Sequence, residues 1–162
     1  MPVHWLPWAP LFAAVLHISE EFLLPGGFAA WYRRYRTDSS RVTSRFLFLI
    51  NAALIVGCVE TALLGLTPPG IFYWLAIAAV LASNGLWHLW ASVRSHGYSP
   101  GVVTGSLIYV PLAVYGYGQF LRSGRISLDN ALAACVLGGS YPFWSAIYHG
   151  IRPRAKDRQI AK

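Results

Sequence analysis

The stretch WLPWAPLFAAVLHISEEFLL, residues 5–24, sets a histidine and two adjacent glutamates in otherwise oily company. As a helix rising about 1.5 Å per residue it is long enough to cross a hydrocarbon layer of roughly 30 Å. Nine strongly apolar side chains between Leu6 and Leu24 supply roughly 4 kcal/mol toward insertion, whereas two ionised carboxylates near mid-membrane cost about 5–7 kcal/mol. A helix made from this stretch is therefore not expected to face lipid all round, and one of its faces needs partners inside a bundle. Pro25, Gly26 and Gly27 follow and are expected to end or kink the helix just beyond the carboxylates.

The rest of the chain agrees with a membrane setting. Of 162 residues, 56% are hydrophobic and 12% charged, about half the charge of ordinary soluble domains. Apolar stretches of spanning length recur between polar, Pro or Gly breaks. The predicted fold class is all-α, a polytopic membrane helix bundle in which residues 1–162 form a single transmembrane domain. Its five transmembrane helices are expected at about 5–24 (or 11–31, if the first continues through the Pro-Gly-Gly break), 45–66, 71–93, 102–121 and 131–149. "TPPG" (67–70) reads as a tight turn and "SLDN" (127–130) as a helix N-cap. Cys58 and Cys135 fall in apolar segments, where they act as small hydrophobes rather than as a disulfide framework.

The net charge of +7 raises the question of nucleic acid, and the positions of the basic residues answer it. Arg33, Arg34, Arg36, Arg41 and Arg45 lie between segments one and two, Arg94 between three and four, and Arg152, Arg154, Lys156, Arg158 and Lys162 after segment five. Only Arg122 and Arg125 fall on the other side. The positive-inside rule then gives an outside N-terminus and a cytoplasmic C-terminus, with anionic lipid as the secondary use of the charge and no nucleic-acid partner. The first basic side chain after His4 is Arg33, so no cleaved signal peptide is expected.

Polar residues at bilayer depth are costly and hence informative. With alternating helix directions, His17, Glu20, Glu21, Asn51, Asn84, His88 and the terminal His149 all fall in the cytoplasmic half, Glu60 stands alone in the outer half, and His96 and His4 lie at the surface. His17, Glu20 and Glu21 form an i, i+3, i+4 set on one helical face, and Asn84 with His88 an i, i+4 pair. Pro25, Pro111 and Pro142 each remove a backbone donor from a segment, and the carbonyls so freed are tolerated only against protein or a wet cavity.

"HISEE" (17–21), "NGLWH" (84–88) and "YSPGVVTG" (98–105), in this order within a small multispanning chain, resemble the bacterial membrane family named for its HXXEE motif. The resemblance implies signature positions at His17, Glu20, Glu21, Asn84, His88 and the turn of Tyr98, Pro100 and Gly101, with a place in the bacterial cytoplasmic (inner) membrane. It implies a site and no reaction.

The residue types suggest the chemistry. Imidazoles and carboxylates at helical spacing are ordinary ligands for zinc or iron. The expected ligands are His17, Glu20 or Glu21, and His88, with His149 as a fourth, the second glutamate serving as supporting partner or general base. Asn84 would orient His88 or a substrate oxygen, and Asn51 with Tyr98, Pro100 and Gly101 would complete the site. The expected function is a metal-dependent membrane enzyme of hydrolase or oxygenase type acting on a lipophilic small molecule. Aromatic residues such as Trp87, Trp90, Phe143 and Trp144 are candidates for the pocket wall or for ordinary packing and the interfacial belt. Two other readings use the same residues: a metal-free glutamic acid isomerase or cyclase of isoprenoid-like substrates, and a proton- or cation-coupled carrier, for which five helices leave little room short of a homo-oligomer.

Overall fold

The computed structural model describes residues 4–23, 27–35 and 44–144, which are helical with no strand among them. A 3₁₀ turn, Leu6–Trp8, leads into α1 (Ala9–Leu23), and Pro10 sits in its first turn, where a missing N–H costs little. α2 (Gly27–Tyr35) begins anew at Gly27, whose φ of +60° departs from the helical range. The first segment thus does not run on as one helix to residue 31. α3 (Ser44–Leu64) and α4 (Pro68–Ser95) follow. The TPPG stretch, expected as a turn, is instead the first turn of α4: the Thr67 hydroxyl accepts from the Gly70 N–H, and Pro68 takes the position where proline is pre-set for a helix.

The fourth segment is continuous but not uniform. It passes from α5 (Val102–Thr104) through a π-helical segment, π1 (Gly105–Tyr109), into α6 (Val110–Arg122). The Val110 N–H donates to the carbonyl of Gly105, five residues back, so the ladder changes register just ahead of Pro111. α7 (Leu128–Gly139) is capped by Ser127, as SLDN predicts. The expected fifth span is broken within the described residues: α7 ends at Gly139, and Phe143 and Trp144 donate to the Ser140 carbonyl to start a new turn. Pro142 has no N–H to give the Gly138 carbonyl, the bond that would have continued α7, so the interruption at Ser140 falls where the proline is expected to disturb the segment.

α4 is the central element, packing against α1, α3, π1, α6 and α7. Small residues allow close approach: a Cβ on Gly85 would stand 2.5 Å from the Gly105 carbonyl oxygen, so α4 and π1 cross backbone to backbone. Farther along, the Trp74 ring lies against Gly116 and its N–H donates to the Leu6 carbonyl at 2.8 Å. Arg125 donates to the Leu66 carbonyl at 2.8 Å. Residues 6, 66 and 125 thus gather at one end of the bundle, while residues 17–21, 84–88 and 98–104 meet toward the other, with α1 parallel to α4 and α6 antiparallel to it.

The helices over Arg45–Leu64 and Pro68–Ser95 are long and apolar enough to cross a membrane. Large apolar side chains, among them Phe12, Phe48, Leu63, Leu107, Val114 and Val136, are exposed on the outside of the bundle.

Candidate metal centre and its cavity

The i, i+3, i+4 face of α1 points into the bundle, and His17, Glu20 and Glu21 are all buried. α4 brings His88, also buried, and Asn84 to the same place. The two glutamates have different partners. Glu21 Oε1 lies 3.5 Å from His17 Nε2 and 3.1 Å from His88 Nε2. These three ligand atoms all fall within 4.8 Å of one another, and the three residues are the group of His, Cys, Asp or Glu able to hold a metal ion among the described residues.

Glu20 turns toward α5. Its Oε1 accepts from the Tyr98 hydroxyl at 2.6 Å and the Val103 N–H at 3.1 Å, and its Oε2 from the Thr104 N–H at 2.7 Å and the Thr104 hydroxyl at 2.5 Å. The first N–H groups of a helix have no intrahelical partner. The residue at the cap of α5 is Gly101, which has no side chain to offer them, so a carboxylate from α1 satisfies two of them instead. Burial and the Glu20 carboxylate together push the Tyr98 phenol above its ordinary value, which keeps it a hydrogen-bond donor at neutral pH.

This network fixes the His17 ring. The Thr104 hydroxyl spends its proton on Glu20, so at 2.9 Å from His17 Nδ1 it must accept from the ring N–H there. The lone pair of His17 is then on Nε2, where the Asn84 amide nitrogen lies at 3.0 Å. Asn84, expected to orient His88 or a substrate oxygen, makes its hydrogen bond across to His17 on α1 rather than to His88 one turn away. His88 Nδ1 faces the Ser99 hydroxyl at 3.2 Å. The two imidazoles meet edge to face with centroids 5.0 Å apart, and His17 stacks on Tyr109 at 4.4 Å. The Tyr109 hydroxyl is buried without a hydrogen-bond partner among the described residues.

The Tyr98–Gly101 turn locks the rings in place. The Val102 N–H donates to the Ser99 carbonyl at 2.9 Å, and Gly101 has φ +95° and ψ −8°, the third-residue geometry of a type II turn with Pro100 before it. A Cβ on Gly101 would come 2.7 Å from His17 Cε1 and 3.0 Å from His88 Cε1. Glycine is thus required twice, by its backbone conformation and by the space the imidazoles occupy.

Beside Glu21 and Asn84 opens a cavity of about 340 Å³ between α2, α3, α4 and the turn at residues 141–142. Asn51 lines it. So does Trp87, whereas Trp90, Phe143 and Trp144 are largely exposed and do not wall it. Phe28 and Tyr32 of α2 supply the aromatic lining instead.

Most of the residues singled out from the sequence therefore come together: His17, Glu20, Glu21, Asn84, His88, Tyr98, Pro100 and Gly101 around the imidazoles, and Asn51 across the cavity. His149 and Pro25 lie outside the described residues. His96 caps the C-terminus of α4 in a left-handed conformation and is exposed, as is His4. Glu60 joins no hydrogen bond with the site. Thr104 and Ser99, which orient the two histidines, were not singled out; both lie inside the quoted YSPGVVTG stretch, and a hydroxyl in an apolar segment was the available signal.

A family model described as "Protein of unknown function with HXXEE motif" matches residues 8–116. That span contains all of these contacts except those of residues 141–142. No curated protein and no solved structure matches the chain.

Proposed function

We propose, from the premise that the chain belongs to the HXXEE-motif family, that it is a multi-pass membrane enzyme in which His17, Glu21 and His88 hold a divalent zinc or iron ion next to a cavity for a lipophilic small molecule. One observation carries the reading: two imidazole Nε2 atoms and one carboxylate oxygen converge at 3.1 and 3.5 Å in a buried site. Ligands held about 2.0–2.2 Å from one ion stand roughly 3.0–3.5 Å apart, the separations that Glu21 has from each imidazole, and all three atoms lie within 4.8 Å of one another. Two histidines and one carboxylate suit a catalytic zinc of hydrolytic type or a non-haem iron of oxygenase type. Such an ion supplies Lewis acidity or redox chemistry. The chain's own residues do the rest. Glu20, through Thr104, keeps the His17 proton on Nδ1 and its lone pair on Nε2, and Ser99 does the corresponding work at His88. Asn84 must turn its amide for a cation to take the His17 lone pair, which places it beside the ion.

The exposed apolar side chains around the bundle support a lipid setting, since a soluble surface avoids patches of that extent. With the basic residues distributed as they are, the five-segment arrangement has its N-terminus outside, its C-terminus cytoplasmic and the site in the cytoplasmic half of the inner membrane. Metal-free acid chemistry is less well served: it needs a carboxylic proton facing the substrate, and four donors already occupy the oxygens of Glu20.

Cobalt(II) loading of detergent-purified protein tests the metal reading. A visible-region ligand-field spectrum is expected in the wild type, abolished in Glu21→Ala and retained, with weaker affinity, in Glu20→Gln. A spectrum unaffected by Glu21→Ala would contradict the assignment of ligands.

A further inference from the structure

The cavity beside the three ligands is elongated and carries its polar groups in a belt. Its α4 wall runs from Ile77 to Trp87, about 15 Å at the helical rise, and its α3 wall runs back from Leu54 to Phe46. One arm is aliphatic, with Leu54, Ile77 and Val80 facing each other across α3 and α4. Between it and the aromatic end near Phe28 and Trp87 stand Asn51, Asn84 and Glu21. Asn51 makes no hydrogen bond among the described residues, and the bond of Asn84 uses its nitrogen, leaving the amide oxygen free. Both amides are partly exposed toward the cavity, so a ligand that enters and displaces their water must offer a hydrogen-bond partner in return. The volume of about 340 Å³ lies at the small end of ligand sites, too small for a lipid with two full chains.

We infer that this crevice takes a single-chain lipophile bearing an uncharged oxygen function, a hydroxyl, carbonyl or ester, with the oxygen against Asn51 and Asn84 and the tail between α3 and α4. The amides offer donors and an acceptor without the positive charge that a phosphate headgroup would demand. Among the described residues no Lys or Arg lines the cavity. The inference deepens the enzyme reading above and rests on it for the reacting centre, yet tail binding itself requires no ion.

The test uses the full chain in lipid nanodiscs with two photoactivatable probes of equal chain length, a diazirine fatty alcohol and the matching alkyl phosphate. The alcohol is expected to label Leu54, Ile77 or Val80 in preference to the phosphate, to be displaced by excess unlabelled alcohol, and to weaken about tenfold in Asn51→Leu, the scale of one lost buried hydrogen bond. Leu54→Trp, which fills the aliphatic arm, should abolish that labelling while metal content stays at the wild-type level. Labelling confined to the outward-facing Phe48, Leu49 and Val56, equal or better labelling by the phosphate, or no effect of Asn51→Leu would overturn the inference. Failure of the alcohol to label the cavity of the wild-type protein with its metal bound sinks this inference alone, whereas labelling without any bound metal sinks only the metal reading.

Discussion

Thr104 links the two glutamates' separate roles. Its hydroxyl passes the constraint of the Glu20 carboxylate to His17 Nδ1, and supporting partners of this kind typically change metal affinity about 10–100-fold. Thr104→Val is therefore expected to weaken metal binding by that factor, with Thr104→Ser close to wild type; competition with a chromogenic chelator measures both. Gly101→Ala should be more damaging. Its backbone conformation alone costs a non-glycine residue about 1–3 kcal/mol, and its Cβ would displace both imidazoles, so metal binding and thermal stability should fall together. The membership of this cluster was readable from the sequence because helical spacing and insertion cost force His17, Glu20 and Glu21 toward a partner. Which glutamate meets the imidazoles was not. Adjacent residues on a helix differ by only about 100° in direction, and what separates them is the start of α5, whose free N–H groups claim Glu20. Thr104 and Ser99 stayed hidden because a hydroxyl inserts into an apolar segment without the cost that marks a carboxylate.

Helices α4 and α5 set the spacing of the site, and their junctions are where the elements are most exacting. Glu20 acts as the missing cap of α5. Glu20→Gln keeps one carbonyl oxygen and replaces the other by a donor, so the Thr104 N–H loses its acceptor in one amide orientation and the Val103 N–H in the other. Faster amide hydrogen exchange at Val103 and Thr104, with exchange in α6 unchanged, is the expected result. The Gly85–Gly105 crossing is equally tight. Gly85→Val should push π1 away from α4, cost about 1–3 kcal/mol by overpacking and show as a lower melting temperature. The all-helical class was legible from the apolar stretches, two of which form helices long enough to cross a membrane, and so was the SLDN cap. The π-helical register change before Pro111 was not, since one inserted residue in a helical ladder leaves no periodic trace in an apolar stretch. The break at Ser140 falls where Pro142 leaves the Gly138 carbonyl without its i+4 donor.

Among the described residues the molecule is a helical bundle built on α4, with its buried His and Glu side chains gathered toward one end and large apolar side chains exposed on its exterior. The cost of burying charge explains this division: the carboxylates are tolerable inside the bundle where imidazoles, hydroxyls and backbone donors surround them. The proposed orientation puts the C-terminus in the cytoplasm, and a C-terminal fluorescent reporter that matures only there should be active, while a periplasm-dependent phosphatase fused at the same position should not. Opposite signals would reverse the bundle in the membrane without altering the site. Metal analysis of protein purified without chelators bears on the centre itself. One zinc or iron per chain is expected in the wild type and in His96→Ala, at the exposed C-cap of α4 where the backbone N–H makes the capping bonds, and less than a tenth of that in His17→Ala and His88→Ala. A wild-type protein free of metal, or metal retained in full by both of those variants, would contradict a His17–Glu21–His88 centre.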